Sequence, residues 1–219
     1  THEGEHFAAT IELLNKSFKS CVMLVDDSLQ RHTMALSRTE SPDYFYKASL
    51  EEGDLWLKRN KKHYQKLNNL EKIVRWDTWL NHPKFDEHKK AIKNLINNDP
   101  EYAYAFETAI DGFVNKYCSR VANSAHFDVV RAKRLSLEFV VEECAALCLW
   151  TELNCQYEAY PNLHNLAINT TRERFVLSRN PNLINAITLG FRNAKQLAPQ
   201  HFLCLEQNDN HMAKDVIRE

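Results

Sequence analysis

Residues 21–27 read Cys-Val-Met-Leu-Val-Asp-Asp, five apolar residues that stop at two aspartates. A run this short, without polar alternation, fits a strand buried on both faces with functional groups at its carboxyl end. Before it, Phe7, Ile11, Leu14 and Phe18 recur at spacings of three and four and mark one face of an amphipathic helix. After it, Leu29 to Leu36 reads as the start of another helix. A helix, a doubly buried strand and a further helix specify α/β alternation around a parallel sheet.

The remaining segments extend that pattern. Ser41-Pro42-Asp43 is a helix start, and the helix that follows is long, with Gly53 as a candidate break. Residues 73–80 fit either a short strand or an extended segment. Residues 83–117 are helical, with a joint at Asn97-Asn98-Asp99-Pro100, and 128–150 form another helix. Residues 153–160 read as a strand ended by Pro161. Helices are expected at 162–176 and 181–197, and a last strand at 201–207. The 219 residues suit one large domain or two small ones. We read residues 1–219 as a single Rossmann-like α/β domain, with about five parallel strands and helices on both faces.

Composition excludes several classes. The 4 glycines cannot build GxGxxG or GxxxxGK[ST], so neither a P-loop nor a typical dinucleotide site is expected. The 6 cysteines sit in apolar runs without a CxxC pair, and the 10 histidines form no HExxH. Buried free thiols and no metal site follow. Reduced thiols suit the cytoplasm, and no run of 18 apolar residues spans a membrane. No cofactor is implied. Net charge is −1, so any case for nucleic acid rests on where the charges lie.

Three features carry possible chemistry. Glu138 and Glu142 lie four apart and read as a solvated face, whereas Glu143 has Phe139, Val140, Ala146 and Leu147 as its helical neighbours. A carboxyl on an apolar face gains a raised pKa suited to proton transfer; the ordinary alternative is a glutamate at a helix edge, paired with an arginine. Tyr160 closes its strand, so Asp26, Asp27 and Tyr160 can converge beyond the carboxyl ends of a parallel sheet. The plainer alternatives are a helix cap for the aspartates and a packed ring for the tyrosine. Lys58, Lys62 and Lys66 recur every four residues beside Arg59, as a phosphate-binding stripe or merely a solvated face.

In order, Val22 to His32, the basic stripe, Phe139 to Ala145 and Tyr157 to Pro161 resemble the tRNA-dependent cyclodipeptide synthases. The Tyr160-Pro161 pair is similar to the signature of the family's XYP branch. The resemblance implies a fold like the catalytic domain of class I aminoacyl-tRNA synthetases and a substrate of aminoacyl-tRNA without ATP, in keeping with the lack of HIGH and KMSKS sequences. It implies a ping-pong reaction through an aminoacyl-serine, then a dipeptidyl product that cyclises to a diketopiperazine. Glu143 matches the glutamate that holds the aminoacyl ammonium and handles protons. Tyr160 matches the tyrosine that positions the acyl group. Lys58, Arg59, Lys62 and Lys66 match the contacts to the tRNA acceptor arm. Met23, Ala146 and Glu158 match the pocket for the first residue, where Glu158 favours a polar or small side chain.

Two departures stand out. Phe139 occupies the place of a family tyrosine, so the ring is kept and the hydroxyl bond to the substrate amine is lost. The nucleophilic serine of the family's Gly-x-Ser motif is expected a few residues upstream of Thr1, with the first strand. Three other readings remain at this point: a tRNA-binding module of the same fold without chemistry, a helical interaction protein, and an ATP-using enzyme of the synthetase type.

Overall fold

In the computed structural model, residues 4–121, 127–160, 163–188 and 200–204 are described. Helix α1 (Gly4–Ser17) leads into strand β1 (Cys21–Val25), as the apolar run predicts. A 3-10 turn, the short helix α2 (Arg31–Met34) and helix α3 (Pro42–Tyr64) follow. Next come β2 (Leu70–Arg75), the short α4 (Asp77–Leu80), α5 (Phe85–Asn98), α6 (Pro100–Val121) and α7 (Val129–Trp150). The chain continues through β3 (Tyr157–Tyr160), α8 (Leu166–Thr171), β4 (Asn185–Thr188) and β5 (Gln200–Cys204).

The sheet order is β2-β1-β5-β3-β4. β1 pairs with β2 and β3 pairs with β4 in parallel, while β5 runs antiparallel between β1 and β3. The α/β architecture with parallel strand pairs and helices on both faces therefore holds, with one reversed strand at its centre. An apolar run in the sequence does not state the direction of its strand, so composition cannot reveal that reversal. β1 and β3 both oppose β5, and so run parallel to each other. Their carboxyl ends, at Val25 and Tyr160, lie on the same edge of the sheet.

Strand alternation divides the core. Met23 and Ala159 pack with Phe7, Ile11, Leu14 and Trp56 under α1 and α3. Val22 and Leu24 pack on the opposite face with Val141, Ala145 and Leu149 of α7. α7 lies against α5, α6 and α8 as well, and every residue from Val140 to Trp150 is buried. Residues 185–188, expected within a helix, form β4 instead. Their backbone is satisfied by pairing with β3, a tertiary contact that overrides local helical spacing. The strand expected over 153–160 is confined to its second half, because residues 151–153 make a 3-10 turn and Asn154 takes a left-handed φ of 55°.

Candidate active site

The carboxyl edge of β1 is built around Asp27. Its carboxylate accepts the backbone N–H of Ser28 at 2.8 Å and of Trp76 at 3.2 Å, and it pairs with Arg75. It thereby caps the 3-10 turn and ties the end of β1 to the end of β2. Burial pushes the Asp27 pKa up, against the lowering effect of Ser28, Arg75 and Trp76. This aspartate is a structural cap. Asp26 is also buried, and it lines a cavity of about 230 Å³ together with Gln30, Met34, Trp56 and Arg59.

Arg59 links that cavity to the basic surface. Ser49, Gly53, Trp56 and Asn60 form the buried face of α3, while Lys58, Arg59 and Lys62 are exposed. Cations in the last turns also suit the negative end of the helix dipole. Lys66 is exposed but lies past the end of α3, in a turn whose Lys66 carbonyl accepts Asn15 Nδ2 at 2.7 Å. The helical stripe therefore ends at Lys62, and a turn sets the position of Lys66.

On α7 the structure parts the neighbouring glutamates from their sequence reading. Glu138 is half-buried and bonds Lys93 at 2.6 Å. Glu142 is not on a solvated face. It is buried and accepts Arg31 Nη2 at 2.6 and 2.7 Å, with His32 and Lys89 each 3.3 Å away. Burial works to raise its pKa, but the His32 bond and the charges of Arg31, His32 and Lys89 outweigh that and hold it at about 2. Glu143 is buried as its apolar neighbours predict. Phe139, one turn earlier on the same face, lines an apolar cavity of about 70 Å³ with His32, Phe113, Val140 and Asn165.

Helix α8 brings the strand end to α7. The Thr171 hydroxyl lies 3.3 Å from Cys144 Sγ, and that thiol lies 3.8 Å from the Ala167 carbonyl. Burial pushes the Cys144 thiol well up. Thr171 opposes this, and the charges of Glu143 and Arg172 both reach the thiol.

Glu158 is fully buried and shared. One oxygen takes His164 Nε2 at 3.0 Å, and the other pairs with Arg172. His164 in turn stacks on Tyr160, ring centroids 4.7 Å apart at 24°. No spacing rule marks His164 or Arg172 in the sequence; the burial of Glu158, which calls for a cationic partner, shows only in the fold.

The expected pocket residues are thus not assembled as one wall. Ala146 packs in the α7 core, whereas Met23 packs on the other face of the sheet, as strand alternation requires. Glu158 belongs to the α7 side but is already engaged by two partners.

No protein-family model and no curated protein matches the chain. Solved structures do. A cyclodipeptide synthase from Fluoribacter dumoffii is 36% identical, with a TM-score of 0.81, over 92% of this chain and 84% of that one. A cyclodipeptide synthase from Candidatus Glomeribacter gigasporarum bound to Phe-tRNAPhe gives a TM-score of 0.75 at 17% identity, over 90% and 83%. A cyclodipeptide synthase from Streptomyces noursei gives 0.57 at 9% identity, over 88% and 90%. The last two similarities speak for the fold alone.

Proposed function

The chain belongs to the cyclodipeptide synthases, and on that premise we propose that it joins two aminoacyl groups taken from aminoacyl-tRNAs into a cyclic dipeptide. The observation that carries this reading is the 36% identity across 92% of the chain. Phe-tRNAPhe bound to a relative of the same fold supports aminoacyl-tRNA as the substrate. Use of aminoacyl-tRNA supports the cytoplasm as its compartment. Separately, no helix among the described residues is long and apolar enough to cross a membrane. The Tyr160-Pro161 pair supports the XYP branch. The five-stranded sheet disfavours a helical scaffold.

In this reading the first aminoacyl ester passes to a serine hydroxyl, and the tRNA 3′-hydroxyl leaves with the proton. The amine of the second aminoacyl-tRNA attacks the acyl-serine, forming a peptide bond and freeing the serine. The dipeptide's own amine then attacks the remaining tRNA ester, which closes the ring and releases the tRNA. Glu143, buried on α7, holds the ammonium and accepts its proton when the amine must become a nucleophile. Tyr160, at the carboxyl end of β3, positions the acyl group. Phe139 supplies an apolar wall in place of a hydroxyl. The exposed Lys58, Arg59 and Lys62 of α3, with Lys66, meet the phosphates of the acceptor arm. Ala146 and Glu158 stand on the α7 side of the sheet, and we assign the first-residue pocket to that side.

The test is mass spectrometry of medium from cells that express the full-length gene. New diketopiperazines that disappear with Glu143→Gln are expected. A soluble full-length protein that binds charged tRNA and yields none would replace this reading with a non-catalytic tRNA-binding module.

A further inference from the structure

We infer that His164 is a positioning residue for Tyr160, which fixes the phenol by ring stacking while Glu158 and Arg172 hold the imidazole in place. The inference rests on the role of Tyr160 proposed above. Strand alternation puts Glu158 and Tyr160, two residues apart on β3, on the same face. A ring bonded to the first is thereby brought over the second. The two rings are 4.7 Å apart at 24°, within the range of offset stacking.

His164 is no chance surface neighbour. Its side chain is 4% exposed, and its Nε2 lies 3.0 Å from Glu158 Oε1. The second Glu158 oxygen is taken by Arg172, whose side chain is also 4% exposed. With a separate partner on each oxygen, the carboxylate cannot swivel about its own axis. Nε2–H donates to it from the protonated imidazole and from the neutral tautomer that keeps its proton on Nε2, so the ring plane is set in both of these states.

The backbone needs this help. Tyr160 is the last residue of β3, where the ladder stops holding the chain. His164 sits just before Asn165, the N-cap of α8, whose side chain accepts the Ile168 N–H at 3.0 Å. Arg172 stands at the other end of the same helix. α8 therefore carries both partners of Glu158, and through His164 it sets the aromatic plane against which Tyr160 rests. A catalytic group must be held within about 0.5 Å of its productive place.

Two variants separate ring from bond. His164→Gln keeps an N–H donor toward Glu158 and removes the ring. His164→Phe keeps a ring and removes the donor. Measured on the full-length protein, His164→Gln is expected to lower kcat for cyclic dipeptide at least about tenfold with little change in KM. Its Tm should stay close to wild type. His164→Phe is expected to keep kcat within about threefold while melting earlier. The reverse order, with Gln active and Phe inactive, overturns the inference and leaves His164 as a structural clamp.

NMR of ¹³C-tyrosine-labelled protein gives a reading independent of activity. Ring-to-ring NOEs between Tyr160 and His164 are expected in the wild type, and their absence overturns the inference even if a variant fails to fold. The Tyr160 signal, assigned with Tyr160→Phe, should move in His164→Gln; an unmoved signal there overturns it too. A wild type without product, or Tyr160→Phe with full activity, would count against the proposed function or the role of Tyr160, and leaves the stacking result to be read by itself.

Discussion

A Cβ atom placed on Gly53 would stand 2.6 Å from the Cβ of Asp27, 2.8 Å from its Oδ2 and 3.0 Å from Arg75 Nη2. Helix α3 thus crosses the end of β1 at a separation that only glycine permits. In an exposed helix interior, Gly→Ala stabilises by up to about 1 kcal/mol. Here the sign is reversed. Gly53→Ala is expected to destabilise by about 1–3 kcal/mol, read as a lower urea midpoint, because Asp27 and its cap must move. An unchanged or higher midpoint would contradict this close approach.

Glu142 makes stability depend on acid. Its folded pKa of about 2 lies below the ordinary 4.5, so folding favours the proton-free form. The resulting stability is fully present above about pH 4.5 and is lost as the pH falls toward 2. The shift corresponds to about 3 kcal/mol. Urea melts of wild type and Glu142→Gln should differ at pH 7, with the gap closing below pH 4.5. A gap that stays constant to pH 2.5 would show that the Arg31, His32 and Lys89 cluster does not act this way.

Replacing Glu158 alone breaks a buried ion pair. Glu158→Leu strands the Arg172 charge at a site with almost no exposure, and a loss of about 3–5 kcal/mol is expected. The double variant Glu158→Leu/Arg172→Met should recover much of that loss, since an apolar pair of similar size often replaces a buried ion pair without penalty. Equal stability of the single and double variants would sink this account. Product spectra from Glu158→Leu alone will therefore mix pocket shape with lost stability.

Binding of aminoacyl-tRNA should weaken with salt in proportion to the phosphates met. Lys58→Ala and Lys62→Ala are each expected to lower affinity and to flatten the slope of log K against log salt by about 0.7–0.9. Both should act alike on all charged tRNAs. Lys66→Ala, off the helix, is expected to act less. Filter binding over a range of potassium chloride concentrations reads these slopes, and an unchanged slope in the Lys58→Ala/Lys62→Ala double variant would place the tRNA elsewhere.

Much of this architecture is legible in the residues because it is local. The apolar run of β1, the Ser41 cap of α3 and the apolar neighbours of Glu143 all lie within a turn or two of sequence. What escapes is long-range pairing. Glu142 looks solvated beside Glu138, yet its Arg31 partner is 111 residues away. Asn185–Thr188 has too few residues to show a strand period, and its pairing with β3 decides its state. Likewise, the sequence places Met23 and Ala146 in one pocket only while their sheet faces are ignored; alternation puts them on opposite sides. Tyr160 and His164 are four residues apart across Pro161, but their contact depends on Glu158, whose burial no spacing announces.

The grip of Glu158 on both ends of α8 has a consequence for how such a chain diversifies. Position 158 cannot drift alone, because each intermediate would hold either a stranded guanidinium or an orphaned carboxylate in a dry interior. Positions 158, 164 and 172 are expected to be inherited as a linked set and exchanged together when one lineage changes its substrate. Among relatives, a change at one of the three should then forecast the other two, so that a new specificity on this side of the sheet arises by a joint step through three codons.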